Sequence, residues 1–145
     1  MDVLSGGGMK NQREKGAAAV EFALVLPTFL ALTFGIVEYS IALYDKAVIT
    51  NASREAARAG IVLKNPKLTT SDIQNVALNY CQANLITFGK SSTPTVSVPA
   101  GSGGSFGSAL TVSVSYSYSG LALGKMISAF TGPFNLTATT SMNNE

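Results

Sequence analysis

Gly16-Ala17-Ala18-Ala19-Val20-Glu21 opens a stretch that is almost free of charge as far as Tyr44. The basic leader Lys10-Asn11-Gln12-Arg13-Glu14-Lys15 stands directly before it. From Phe22 to Val37, sixteen consecutive residues carry no charge. As a helix rising about 1.5 Å per residue they span ~24 Å. The whole of Ala17–Tyr44 would span ~42 Å, against a bilayer core of about 30 Å. Glu21 and Glu38 then fall near opposite faces of that core. A carboxylate at the start of a membrane-length helix is costly and asks for a reason. Glu38, followed by Tyr39 and Tyr44, reads as a charge at the outer interface, where tyrosines are favoured.

The rest of the composition narrows the possibilities. The chain has 145 residues, room for one membrane segment and one small domain of roughly 85–100 residues. Charged residues make up 12%, well below the roughly 25% usual for soluble domains. The net charge is only +2. Lys64, Lys67, Lys90 and Lys125 are scattered and form no basic run, which argues against a nucleic-acid partner. There is no histidine, so imidazole is missing both as a general base and as a metal ligand. Beyond Glu55 the only carboxylates are Asp72 and Glu145, too few for an obvious catalytic pair. No metal site, cofactor or catalytic residue is expected, and the chain reads as a non-enzyme. Cys81, the single cysteine, can form no intrachain disulfide. It reads as a small buried hydrophobe or, alternatively, as a thiol for an intermolecular bridge.

Lys10, Arg13 and Lys15 precede the apolar run and should stay cytoplasmic, which puts the C-terminal part on the other side. A secretory signal peptide also has a basic start and an apolar core, but its cleavage site follows that core. Here the run is too long, and the small residues precede it. Ala19, Ala23, Pro27, Ala31 and Gly35 recur at a spacing of four. On a helix they form a stripe that lets neighbouring helices approach closely in a membrane, although alanine is also frequent by chance in such segments. Pro27 removes one backbone hydrogen bond and is a candidate kink. Ala52, Ala56 and Gly60 continue the spacing beyond the membrane, while Arg54, Glu55 and Arg58 offer a polar face. The expectation is one long helix over 17–61, in lipid over about 17–44 and exposed beyond, ended before Asn65-Pro66.

The distal part, residues 62–145, reads as a small α+β domain. Ser71-Asp72-Ile73-Gln74 resembles a capping box with serine as cap and glutamine three residues on. Ile73, Val76, Ala77, Tyr80 and Leu85 give an apolar helical face, and Gly89 is a candidate stop, so a second helix is expected over about 72–88. Leu110, Val112, Val114, Tyr116 and Tyr118 alternate with serine and threonine, the signature of a strand. Phe134, Leu136, Ala138, Thr140 and Met142 alternate likewise. Thr95 to Val98 is a shorter candidate that Pro99 should end, and Ala100–Ser108 reads as a flexible hairpin loop. These make a small antiparallel sheet of about three strands. Its hydroxyl face meets water or a neighbouring subunit. Leu121 to Phe130 is apolar without clear periodicity and is left unassigned, a short helix crossing a sheet edge being one reading.

Three segments together resemble the TadE-like family: Gly16–Pro27, Phe34-Gly35-Ile36-Val37-Glu38-Tyr39, and Asn51–Gly60. These proteins are pseudopilins or minor pilins of the bacterial tight-adherence (Tad/Flp) pilus, a branch of the type IV filament machinery. The resemblance implies removal of residues 1–16 as a prepilin leader by a membrane prepilin peptidase that cuts between Gly16 and Ala17. Glu21 becomes residue five of the product. It implies insertion in the bacterial inner membrane, with the distal domain periplasmic or extracellular and later at the pilus or cell surface. Its implied partners are the peptidase, other pilin or pseudopilin subunits and the inner-membrane assembly platform. In a filament core Glu21 would sit beside the Ala17 ammonium of a neighbouring subunit. An unpaired buried charge there would cost on the order of 3–5 kcal/mol. Flp major pilins are short and mostly helical, whereas this chain carries a distal domain, which favours a minor, priming or tip subunit. The competing expectation is a membrane-anchored adhesin or binding module that keeps an uncleaved signal anchor.

Overall fold

The computed structural model describes residues 7–89, 93–120 and 134–145, with side chains from residue 14 onward. The element order is α1 (Gly7–Ile61), α2 (Thr70–Asn84), β1 (Thr95–Ala100), β2 (Ala109–Tyr118) and β3 (Phe134–Asn143). The fold is the expected α+β arrangement of a long N-terminal helix, a short helix and a three-stranded antiparallel sheet. Leu121–Phe130, the unassigned apolar segment, lies outside the described residues. The chain divides into two compact units between Val37 and Glu38, so the division falls inside α1.

The distal unit is built on the sheet, whose order is β1-β2-β3. β2 and β3 pair antiparallel without interruption from Ala109↔Asn143 to Tyr118↔Phe134. Period-two alternation divides each strand between two faces. Leu110, Val112, Val114, Tyr116, Tyr118, Leu136 and Ala138 are all buried on the inner face. Thr111, Ser113, Thr139 and Ser141 lie on the other. There Ser113 Oγ and Thr139 Oγ1 are 3.0 Å apart, and Thr111 Oγ1 donates to Ser141 Oγ at 3.3 Å.

The C-terminal half of α1 packs on the apolar face. Ala42, Asp45, Ile49, Ala52 and Ala56 are buried at alternating steps of three and four, which keeps them on one side of the helix. Gly60 extends this line. A Cβ there would stand 2.5 Å from Leu110 Cδ2 and 2.8 Å from Ile73 Cδ1, so any larger residue would have to push these two buried side chains aside where α1 crosses β2 and α2. Three hydrogen bonds mark the direction of the helix along the strands. Tyr118 Oη donates to Glu38 O at 3.3 Å, Lys46 Nζ to Thr137 O, and Ser53 Oγ and Thr140 Oγ1 are 2.7 Å apart. The C-terminal half of α1 therefore runs antiparallel to β2.

α2 begins earlier than its sequence suggests. Thr69, not Ser71, is the cap: Asp72 N donates to Thr69 Oγ1 at 3.3 Å, and Asp72 Oδ2 accepts from Thr69 N at 2.9 Å. The ionised Asp72 is the stronger acceptor for this box. Gln74 is thereby released to donate its Nε2 to Val96 O at 3.0 Å, tying α2 to β1. The helix ends at Asn84, short of Gly89, with Leu85 extended. Leu85 is drawn against the core, and Ile86 N donates to Asp45 Oδ1 at 3.1 Å. A tertiary contact, not the glycine, sets this end. On α2, Ile73, Ala77 and Cys81 are fully buried, and Val76 and Tyr80 partly so.

β1 passes through Pro99 instead of stopping before it. Its register with β2 shifts between Ser97 and Ala100, and at such a bulge on an edge strand the missing N–H of proline costs little. The following loop is a built turn. Asn144, 3% exposed, donates through Nδ2 to Gly101 O at 3.0 Å and Ser108 O at 2.9 Å. Gly101 has φ +87, and a Cβ there would lie 2.1 Å from Ala109 O.

Candidate functional site

The N-terminal half of α1 presents the opposite surface chemistry. From Glu14 to Val37 nearly every residue is exposed, including Phe22, Leu24, Val25, Phe29, Leu32 and Phe34. In water such an apolar surface is a large liability, worth about 1.5–3 kcal/mol for each large side chain left uncovered. The segment is long and apolar enough to cross a membrane. Thr33 Oγ1 donates to Phe29 O at 2.9 Å, so this hydroxyl is satisfied within the helix. A side chain facing lipid must find its partner there.

Gly16, Ala17 and Glu21 all lie in α1 and are exposed. A Cβ on Gly16 would meet nothing within 4 Å, so no packing requires glycine at this position. Its effect is to weaken the helix, by roughly 1 kcal/mol relative to alanine. Among the described residues, Glu21 enters no ion pair; Arg58 with Glu55, at 3.0 Å, is the pair that forms. Ala19, Ala23, Pro27 and Ala31 are exposed and Gly35 is half-buried, so the stripe is uncovered along most of its length. The helix continues through Pro27.

The expected continuation of the stripe behaves differently. Ala52, Ala56 and Gly60 are covered by the chain's own sheet and α2. Ile41 and Ala42, counted in the sequence with the apolar run, belong to the distal core. The exposed part of the run is therefore Ala17–Val37, which rises ~31 Å and matches a bilayer core of about 30 Å.

A group that the sequence did not disclose lies where the distal unit begins. Glu38, Asp45 and Tyr118 converge there. Asp45 is fully buried, with Oδ1 accepting from Ile86 N and Oδ2 without a hydrogen-bond partner. Burial raises its pKa above the ordinary carboxylate value. Tyr118 is pushed up to about 12, chiefly by burial and then by the charges of Glu38 and Asp45. The only sequence signal for Asp45 was an acidic residue at a core position of the helical repeat. Cys81 is buried and its thiol is pushed up to about 11 by burial, which makes it a poor nucleophile and suits the packing role.

Residues 16–58 match the family of TadE-like proteins. No curated protein and no solved structure matches the chain. The matched stretch contains Gly16, Glu21, the small-residue stripe and most of the α1 segment that packs on the sheet.

Proposed function

We propose that this chain is a pilin-like structural subunit, a pseudopilin or minor pilin, of a Tad-type pilus or a related secretion filament. A single observation carries the reading: a TadE-like helix whose first half is a bare apolar surface of bilayer length, while its second half is committed to a folded domain. The role is assembly, not catalysis. Prepilin peptidase cuts between Gly16 and Ala17, the apolar half anchors the product in the inner membrane, and the distal unit lies periplasmic or extracellular. In the filament the Ala17 ammonium of one subunit neutralises Glu21 of another, and the stripe Ala19, Ala23, Pro27, Ala31 and Gly35 receives neighbouring helices. Exposure of Glu21, Ala19, Ala23, Pro27 and Ala31 supports this, since among the described residues nothing covers them.

Mass spectrometry of the protein recovered from cells tests the reading. Ala17 as first residue is the expected result. A mature protein that still begins at Met1 or Asp2 has no free amine at Ala17 to pair with Glu21, and favours an anchored binding module instead.

A further inference from the structure

The exposed apolar half of α1 ends at Val37, and the distal unit begins at the next residue, Glu38. Covalent continuity holds the Cα of Glu38 within about 4 Å of the end of the apolar run. Around this residue the fold gathers exposed apolar side chains from three segments. Tyr39, Leu43 and Tyr44 come from α1. Phe134 comes from β3. Its register partner Tyr118 donates to Glu38 O at 3.3 Å, so Phe134, 60% exposed, stands at the start of the unit. Ile86 and Phe88 follow α2, and Ile86 N donates to Asp45 Oδ1 at 3.1 Å. Both are exposed, and Phe88 holds φ +48, a backbone state that is costly for a bulky residue and clusters at functional sites. Val62, Leu63 and Phe106 are exposed at the other end of the sheet, where Glu145 N donates to Ile61 O and Gly107 N to Asn144 O. Exposure alone therefore does not distinguish the two ends; adjacency to the apolar run does.

We propose that the Glu38 end of the distal unit is a lipid seat, whose apolar side chains enter the interface of the bilayer that α1 spans. The proposal rests on the membrane reading of α1 and is independent of the pilus reading. The heights agree with it. Beyond the hydrocarbon core the interface is about 5–7 Å deep on each side. Leu43 and Tyr44 rise ~9–10 Å above Val37 along α1, and helical side chains lean back toward the N-terminus, here toward the membrane. Tyrosine suits such an interface because its ring is apolar and its tip polar. Apolar side chains left open by a folded unit find cover there that water does not give. The carboxylates at this end do not oppose the seat, since Asp45 is fully buried and Glu38 half-buried. Residues 121–133 lie outside the described residues, and the seat takes no side chain from them. Every copy seated this way directs its apolar run into the same bilayer.

The chain contains no tryptophan, so each one introduced is a single reporter. The full chain is placed in phosphatidylcholine vesicles with and without bromine on the upper acyl chains, which quenches tryptophan on contact. Phe29→Trp reports on the span, Phe134→Trp and Phe88→Trp on the seat, and Phe106→Trp on the far end, ~30 Å away along the strands. Quenching of both seat reporters is expected at least fivefold above that of Phe106→Trp, with Phe29→Trp quenched as well. Thermal unfolding of each variant is checked alongside, and Tyr44→Trp replaces a seat reporter that does not fold. If Phe29→Trp is quenched while either seat reporter only matches Phe106→Trp, the seat is overturned and the anchor stands. Cover of the same side chains by a second copy gives that result too. If Phe29→Trp is not quenched, the membrane reading fails and the seat with it.

Discussion

The two halves of α1 use similar residues for opposite ends. Before Val37, alanines and a glycine lie among large apolar side chains that face outward; after Glu38, alanines and a glycine lie beneath a sheet. Leu24 is 73% exposed, whereas Ile49 is 0% exposed. Small residues permit close approach in both halves, but among the described residues it is the second half that is covered by its own chain. A spacing of small residues therefore specifies how near something can come, and says nothing of whether that something is the chain itself or another.

Substitutions in the two halves should separate assembly from stability. The largest effect is expected for Glu21→Ala. It should leave the thermal unfolding of the distal unit unchanged yet reduce incorporation into filaments more than a hundredfold, as loss of a buried charge pair worth about 3–5 kcal/mol implies. Labelled pili that contain the variant at the normal level would remove Glu21 from the pairing role. Next come paired truncations: Ile49→Ala should destabilise the distal unit by about 2–5 kcal/mol in denaturant titration, and Leu24→Ala by less than about 0.5 kcal/mol. Comparable losses would abolish the contrast between the halves. Gly60→Ala, which forces a Cβ against Leu110 and Ile73, should cost about 1–3 kcal/mol, while Gly35→Ala leaves the distal unit's stability unchanged.

A smaller effect is expected from Asp45. Its pKa is raised in the folded state, so the fold binds this proton more tightly than the unfolded chain. Stability from this group is therefore present at acid pH and lost as pH rises through the raised pKa. Asp45→Asn, which keeps an acceptor for Ile86 N, should flatten the fall in stability between acid and neutral pH. An unchanged slope in denaturant titrations across that range would show that Asp45 does not titrate with folding. The smallest effect is expected from Thr69→Ala, a loss of about 1 kcal/mol from the α2 cap. Ser71→Ala should change stability little, and the reverse order would restore serine as the cap.

Much of the architecture was legible because it depends on local repetition. The charge-free run required a long helix, and the apolar alternation in 110–118 and 134–142 required strands. Each pattern is set by the period of its own backbone. The TadE-like motif was legible for the same reason, since it is continuous in sequence. The small-residue stripe was only half legible: residues 19–35 and 52–60 look alike, and nothing local marks the second group as already occupied.

The choices left to tertiary structure all turn on contacts between residues far apart in the chain. Thr69 with Asp72 prevailed over Ser71 with Gln74 once Gln74 had β1 to bind. α2 stopped at Asn84, not near Gly89, because Leu85 and Ile86 met the core and Asp45. Pro99 was admitted into β1 because that strand lies at an edge and bulges there. The sequence by itself determined a bilayer-length apolar helix, a second helix and three alternating strands, since hydrophobic period and charge act over a few residues. Only the folded chain decided that Glu38 begins the distal unit, that Asp45 is buried, and that Gly60 stands close against Leu110 and Ile73, because burial and close packing are properties of surfaces assembled from distant segments.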